Sequence, residues 1–240
     1  MLFRNIGRKI LDSLYPRHCP ICNDIVARKN TKACQSCVEK LSIVKEPRCK
    51  KCSKPLEGSE TEYCFDCQHK SHYFDEGYAI LLYDETMQRS MAYFKFHGRQ
   101  EYGDFYSELL LKAAHRIVKR WQVEVLLPVP SHRQRINKRG YNQTEIIGRA
   151  LSKGLSIPIR TNLIRRVKNT KAQKKLNIDE RKKNVKNAFV VSEKASDYHR
   201  VLIIDDIYTT GSTVDEMAKE LRKRGVKKVF FLTVCIGGGF

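Results

Sequence analysis

The chain has 240 residues, 46 Lys/Arg against 26 Asp/Glu, and a formal net charge of +20. That length holds one medium α/β domain and a small accessory module. No apolar run approaches the ~20 residues of a membrane-spanning helix, and the N-terminus lacks the apolar segment of a secretion signal, so a cytoplasmic protein is expected.

In chain order, Phe3, Ile6, Ile10 and Leu14 share one face of an N-terminal helix, expected to pack on its own protein. Four C-x2-C pairs come next: Cys19/Cys22, Cys34/Cys37, Cys49/Cys52 and Cys64/Cys67, repeating every fifteen residues. Each turn brings two thiolates to one side of a metal, and two turns complete the four-sulfur shell that Zn²⁺ accepts. Eight thiolates therefore predict two closed structural zinc sites with no open position for catalytic water. A reducing compartment disfavours disulfides. Sequential pairing gives tandem zinc ribbons; interleaved pairing, as in cross-brace folds, fits the spacing as well. His18, His69 and His72 are expected to be neighbours rather than ligands. Residues 1–70 are too poor in large aliphatics to fold without metal; the zinc-ribbon module is taken as 1–72 and the main domain as 73–240.

Tyr78–Tyr83 reads as a strand, followed by a short helix ending near His97. A long amphipathic helix, Glu101–Trp121, presents Phe105, Leu109, Ala113 and Ile117 as its core stripe. Val123–Val129 is a second strand, and Gln143–Leu151 a helix. From Ser131 to Lys186 there are 17 Lys/Arg against 3 acids, or +14 of the total. Such a field attracts polyanions: nucleic acid, pyrophosphate or polyphosphorylated small molecules. Within it, Arg165–Lys186 has weak apolar periodicity and is expected to be an exposed, mobile arm. Ala188–Val191, Val201–Ile204, a helix Thr213–Arg224 and Val229–Ile236 complete the chain, with Cys235 a small buried hydrophobe. Alternating elements with strands apolar on both faces predict a parallel sheet covered by helices, which binds ligands at the C-terminal strand ends.

The most informative segment is Val201-Leu-Ile-Ile-Asp-Asp-Ile-Tyr-Thr-Thr-Gly-Ser-Thr213. A buried strand ends in adjacent carboxylates, Asp205 and Asp206, and runs through Tyr208, Thr209, Thr210, Gly211, Ser212 and Thr213 into a helix. Hydroxyls and backbone N–H groups at that helix start make a nest for a phosphate monoester. Carboxylates beside it suit ribose hydroxyls, so the layout measures out a ribose 5-phosphate. The string lacks the lysine of a Walker A loop and the glycines of a dinucleotide fingerprint.

That string resembles the phosphoribosyl pyrophosphate (PRPP) signature of type I phosphoribosyltransferases. Taken with the cysteine turns, F-K-F-H-G-R (94–99) and P-V-P-S-H-R-Q-R-I-N-K-R-G-Y-N-Q (128–143), nearly the whole chain resembles the ComF competence-protein family, with R-G-Y-N-Q the most specific block. The resemblance implies a type I phosphoribosyltransferase fold with an N-terminal double zinc ribbon, and a part in uptake of single-stranded DNA in natural transformation. By it, Asp205 and Asp206 hold the ribose hydroxyls and Thr209–Thr213 the 5-phosphate. Val129, Pro130 and Ser131 lie near pyrophosphate, with Arg133, Arg135 and Arg139 close by. Mg²⁺ would accompany PRPP in catalysis, and competence-machinery proteins would be partners.

Three functions fit these residues. The first is a competence-type protein that keeps a PRPP pocket and binds single strands through its basic stretch, Lys174, Lys175, Lys182 and Lys183 included. Tyr93, Phe94, Phe96 and Tyr141 are candidate stacking surfaces there, although core packing is favoured for Phe94 and Phe96. The second is a nucleobase or amine phosphoribosyltransferase, for which no acceptor site is visible and no catalytic residue can be named. The third, a structural adaptor organised by zinc, leaves the phosphate nest without a purpose.

Overall fold

The structure is a computed structural model that describes residues 16–26, 31–168 and 178–238; for 178, 179, 181 and 182 only the backbone is described. The expected N-terminal helical face, Lys174 and Lys175 lie outside these residues. Among the described residues no helix is long and apolar enough to cross a membrane.

Four parallel strands form the main sheet in the order β1-β6-β5-β2: β1 is Glu76–Leu82, β2 Val125–Pro128, β5 Arg200–Tyr208 and β6 Lys228–Ile236. Alternation along β5 builds two cores. Val201 and Ile203 face a layer with Val214, Met217, Ala218 and Leu221 of α8 (Ser212–Lys223). Leu202 and Ile204 face α3 (Glu85–Phe96), α4 (Tyr102–Trp121) and α6 (Gln143–Leu155). The fold is thus the expected parallel sheet flanked by helices.

Three expectations are corrected. Phe105 is buried as expected, but the rest of the buried stripe of α4 is Tyr106, Leu110, Ala114, Val118 and Trp121, one position on from Leu109, Ala113 and Ile117. Both rows are apolar. The small residues Gly103 and Ser107 sit on the second, where a Cβ on Gly103 would come within 2.5 Å of Ile146 of α6. The basic stretch is not one free arm. Its start, β3 (Ile164–Arg166), pairs antiparallel with β4 (Phe189–Val191), and α7 (Ile178–Val185) precedes that partner. The 189–191 strand therefore belongs to a separate two-stranded sheet, although its apolar Phe189 and Val191, with Leu163 and Ile164, bury in the same core as Val201, Ile203 and the inner face of α8. A short helix, α5 (Arg133–Arg139), which periodicity did not suggest, comes after β2 and stops at Gly140 in the left-handed conformation, φ 82°.

The cysteine-rich segment is built from two copies of one motif. Cys19 and Cys49 each accept from the residue four positions on, Asn23 N–H at 2.9 Å and Ser53 N–H at 2.8 Å, and both of those residues have positive φ. In each copy the second cysteine pair opens a helical turn, α1 (Gln35–Val38) or α2 (Phe65–His69). The connecting segment runs along the edge of β1, with Val44 N–H donating to Ile80 O and Leu82 N–H to Ser42 O, both at 2.8 Å.

Candidate functional site

The four cysteine turns pair sequentially. Cys19, Cys22, Cys34 and Cys37 converge at one point, and Cys49, Cys52, Cys64 and Cys67 at a second, with all sulfurs of a set within 4.8 Å of one another. A tetrahedral Zn–S shell with bonds of about 2.3 Å requires sulfurs about 3.8 Å apart. The Sγ separations of 4.0 Å (Cys22–Cys34) and 3.6 Å (Cys52–Cys64) match it. The donor sets therefore fit structural zinc, and the interleaved pairing is eliminated. The histidines stand outside both sets: His18 Nδ1 lies 2.7 Å from Asn23 O, His69 Nδ1 lies 2.9 Å from Phe65 O, and His72 packs beside Asp215. Cys235 is fully buried, which pushes its thiol pKa up and leaves it inert.

At the C-terminal end of β5, consecutive side chains take opposite faces. Asp206 turns to the α3 layer, where Lys95 Nζ meets its Oδ2 at 2.8 Å. Asp205 accepts the Asp206 backbone N–H at 2.9 Å. Both carboxylates are only 8% exposed. Burial first, and then the charge of Asp206, pushes the Asp205 carboxyl up to about 7, with Lys95 and Arg166 opposing.

Tyr208 to Thr213 form the loop into α8, lining a shallow cleft with Asp205. Gly211 has φ 74°, and a Cβ there would stand 2.5 Å from the Tyr208 hydroxyl. Thr210 and Ser212 share a hydroxyl hydrogen bond of 2.8 Å. Tyr208 is itself fixed, stacked on Phe231 at 4.6 Å and edge-on to Phe74. The α8 start thus offers backbone N–H groups and hydroxyls to one small anion.

Arg135 and Arg139 lie one turn apart on α5, and Arg166 enters from β3. Burial lowers all three guanidinium pKa values, most of all Arg166, which falls to about 10 with Arg135 and Arg139 adding repulsion. Three cations crowded this way beside two carboxylates form a local concentration of positive charge, which attracts anions. Pro130 and Ser131 form the turn between β2 and α5, whereas Arg133 is exposed at the start of α5. The R-G-Y-N-Q block fastens these parts together. Asn142 holds Ser131 Oγ at 3.1 Å and donates to Val129 O at 3.1 Å. Tyr141 Oη and Gln143 Nε2 both donate to Phe94 O, directly before Lys95.

Sequence reasoning missed Lys95 and Arg166. Lys95 stood in view inside F-K-F-H-G-R, but only the fold brings that helix to Asp206. Arg166 was one of many cations in the basic stretch, and nothing local marked it as the half-buried one. Of the four lysines singled out there, Lys183 is exposed on α7 and the others have no described side chain.

The Asp205 environment has a measurable consequence. Its folded pKa lies above the unfolded value of about 3.9, so the native state holds the proton more tightly. Stability from this group is complete below pH ~4 and is lost as pH rises through 7. Asp205→Asn is expected to stabilise the ligand-free protein at pH 8 by on the order of 2–4 kcal/mol and to flatten the pH dependence of denaturant melts from pH 5 to 8. An unchanged slope would mean that Asp205 is ionised throughout.

Residues 10–68 match the double zinc ribbon domain and residues 145–238 the phosphoribosyl transferase domain. Fold and sites together define a phosphoribosyltransferase-type domain joined to a double zinc ribbon. The chain is 34% identical over 213 residues to Competence protein F of Haemophilus influenzae, covering 82% of this chain and 93% of that one. It is 28% identical to DNA utilization protein YhgH of Escherichia coli, covering 92% and 97%. Competence protein ComFC of Bacillus subtilis is 24% identical, covering 82% and 81%. The chain belongs to the ComF competence-protein family.

Proposed function

We propose that this is a competence-type cytoplasmic protein whose α/β domain, residues 73–240, holds PRPP or a related ribose 5-phosphate and whose basic surface binds single-stranded DNA during natural transformation. The observation that carries the pocket is the pair Asp205–Asp206, buried at the end of β5 and leading through the positive-φ turn at Gly211 into α8. In this reading the two carboxylates accept the ribose hydroxyls, residues 209–213 take the 5-phosphate, and Arg135, Arg139 and Arg166 face the pyrophosphate. Calorimetric titration with PRPP and with ribose 5-phosphate tests it; no binding of either removes the pocket.

The DNA reading rests on surplus charge, because one pyrophosphate needs a few cations and the 131–186 stretch carries +14. Log affinity for a single strand is expected to fall with log salt at about −0.7 per phosphate contacted. Replacing Lys174, Lys175, Lys182 and Lys183 by Ala should flatten that slope and leave ribose 5-phosphate affinity unchanged. Equal slopes in titrations at several salt concentrations would exclude this stretch as the DNA contact.

A second reading, phosphoribosyl transfer to a nucleobase or amine, is favoured by the domain match over residues 145–238 and by the three desolvated guanidiniums, which would stabilise departing pyrophosphate. Mg²⁺, if bound with PRPP, would neutralise pyrophosphate charge beside Asp205 and Asp206. Pyrophosphate release assayed against bases, amines and single-stranded DNA separates the two readings.

A further inference from the structure

Phe96 is the last residue of α3, next to Lys95, which holds Asp206. Its partner along the chain, Phe94, is fully buried, as expected of it, but Phe96 is 61% exposed. Core packing does not account for this ring. Among the described residues no other aromatic ring packs on it, whereas the Arg139 guanidinium lies over it, 4.6 Å from the centroid. Arg139 is fixed in turn by Gln143 Oε1 at 3.2 Å, and its charge is felt at Asp206. An exposed ring and an oriented guanidinium thus lie together on the Asp206 side of the proposed ribose 5-phosphate site.

A flat ring backed by a cation suits an occupant that is planar, aromatic and tied to negative charge. Aliphatic partners would gain nothing from the guanidinium, and an acidic peptide nothing from the ring. Arg133 and Lys138 lie on the same short helix as Arg139 and are exposed, so further cations are available for the phosphates next to a stacked base. We infer that Phe96 and Arg139 form a stacking platform for one unpaired nucleobase of a bound single strand, which sets that nucleotide on the Asp206 side of that site. This rests on the single-strand reading above and adds where a base is held.

The test is anisotropy titration of a labelled oligodeoxythymidylate against the zinc-loaded full chain and its Phe96→Ala and Phe96→Trp variants, with an abasic strand of equal length as control. The exposed ring can be removed without opening the core, so matching melting curves are expected. Phe96→Ala should weaken oligodeoxythymidylate binding by about tenfold without changing the salt slope, and Phe96→Trp should restore it. The abasic strand should bind wild type and Phe96→Ala alike. Tight oligodeoxythymidylate binding by Phe96→Ala would overturn the platform while leaving single-strand binding in place. No binding of the oligonucleotide by wild type would remove both.

Discussion

Loss of zinc from the second cysteine cluster is expected to abolish ribose 5-phosphate binding, whereas loss from the first should spare it. A structural four-thiolate site contributes roughly 10–16 kcal/mol of apparent folding free energy, so a single Cys→Ser change unfolds its own ribbon. The damage beyond that ribbon depends on what it touches. Cys49 and Cys52 are buried in the same core as Phe74, Tyr208 and Phe231, and Tyr208 lies beneath Gly211 of the phosphate loop. Just past this cluster, Tyr73 N–H donates to Asp215 Oδ1 at 2.7 Å in the first turn of α8. Cys19 and Ala33 of the first ribbon pack instead on the opposite layer, where Arg17 pairs with Asp104 and Lys32 with Glu108, at 2.8 and 2.9 Å.

Cys34→Ser should therefore keep about one zinc per chain, expose residues 16–41 to proteolysis and still bind ribose 5-phosphate. Cys64→Ser should also keep one zinc but lose that binding. Metal analysis, limited proteolysis and calorimetry on both variants decide it. Equal loss of affinity in both would disprove a selective link. Aggregation of the whole chain with Cys34→Ser would show that residue 72 is not a folding boundary.

The second large effect is expected at the phosphate loop itself. Gly211→Ala places a Cβ within 2.5 Å of a hydroxyl on a tyrosine that Phe231 and Phe74 hold in place. It also forces a left-handed backbone that costs an L-residue about 1–2 kcal/mol. The loop must shift, and the N–H groups of the nest lose their common focus. Asp206→Asn removes a charge-assisted partner and leaves Lys95 without its carboxylate, and Thr210→Val deletes one hydroxyl of the nest. Lost bonds of this kind cost about 1.5–3 kcal/mol each. Each variant should weaken PRPP or ribose 5-phosphate binding by on the order of tenfold or more, Gly211→Ala most of all. Unchanged calorimetric affinity in Asp206→Asn and Thr210→Val would mean that the loop keeps its shape but no longer serves a ligand. The double variant Gly211→Ala/Tyr208→Phe distinguishes clash from backbone strain: affinity should recover in part if the clash dominates.

Much of this protein could be read without its structure because the relevant signals are local. Cysteine spacing announces zinc, since a C-x2-C turn is complete within a few residues. Strand β5, its turn at Gly211 and the helix α8 are legible in the same way, since an apolar run, two acids and a Gly-bearing turn into a helix are contiguous. The parallel sheet is legible in strands that are apolar on both faces.

What sequence left open involves elements far apart in the chain. Knuckle pairing is one such case, because spacings of eleven residues permit both schemes and only the converging sulfurs choose. The buried row of α4 is another, as two adjacent rows are equally apolar and the packing of α6 against Gly103 selects between them. Lys95 and Arg166 join the site across about 110 and 40 residues of chain respectively, a distance at which no periodicity speaks. The exposure of Phe96 belongs here too. Next to the buried Phe94 its sequence reads as core, and only the end of α3 and the approach of Arg139 leave its ring facing solvent. Sequence alone determined the chemistry each segment carries, because that chemistry is written in neighbouring residues. Tertiary structure decided which segments share a site, because that depends on how two layers of helices close over one sheet.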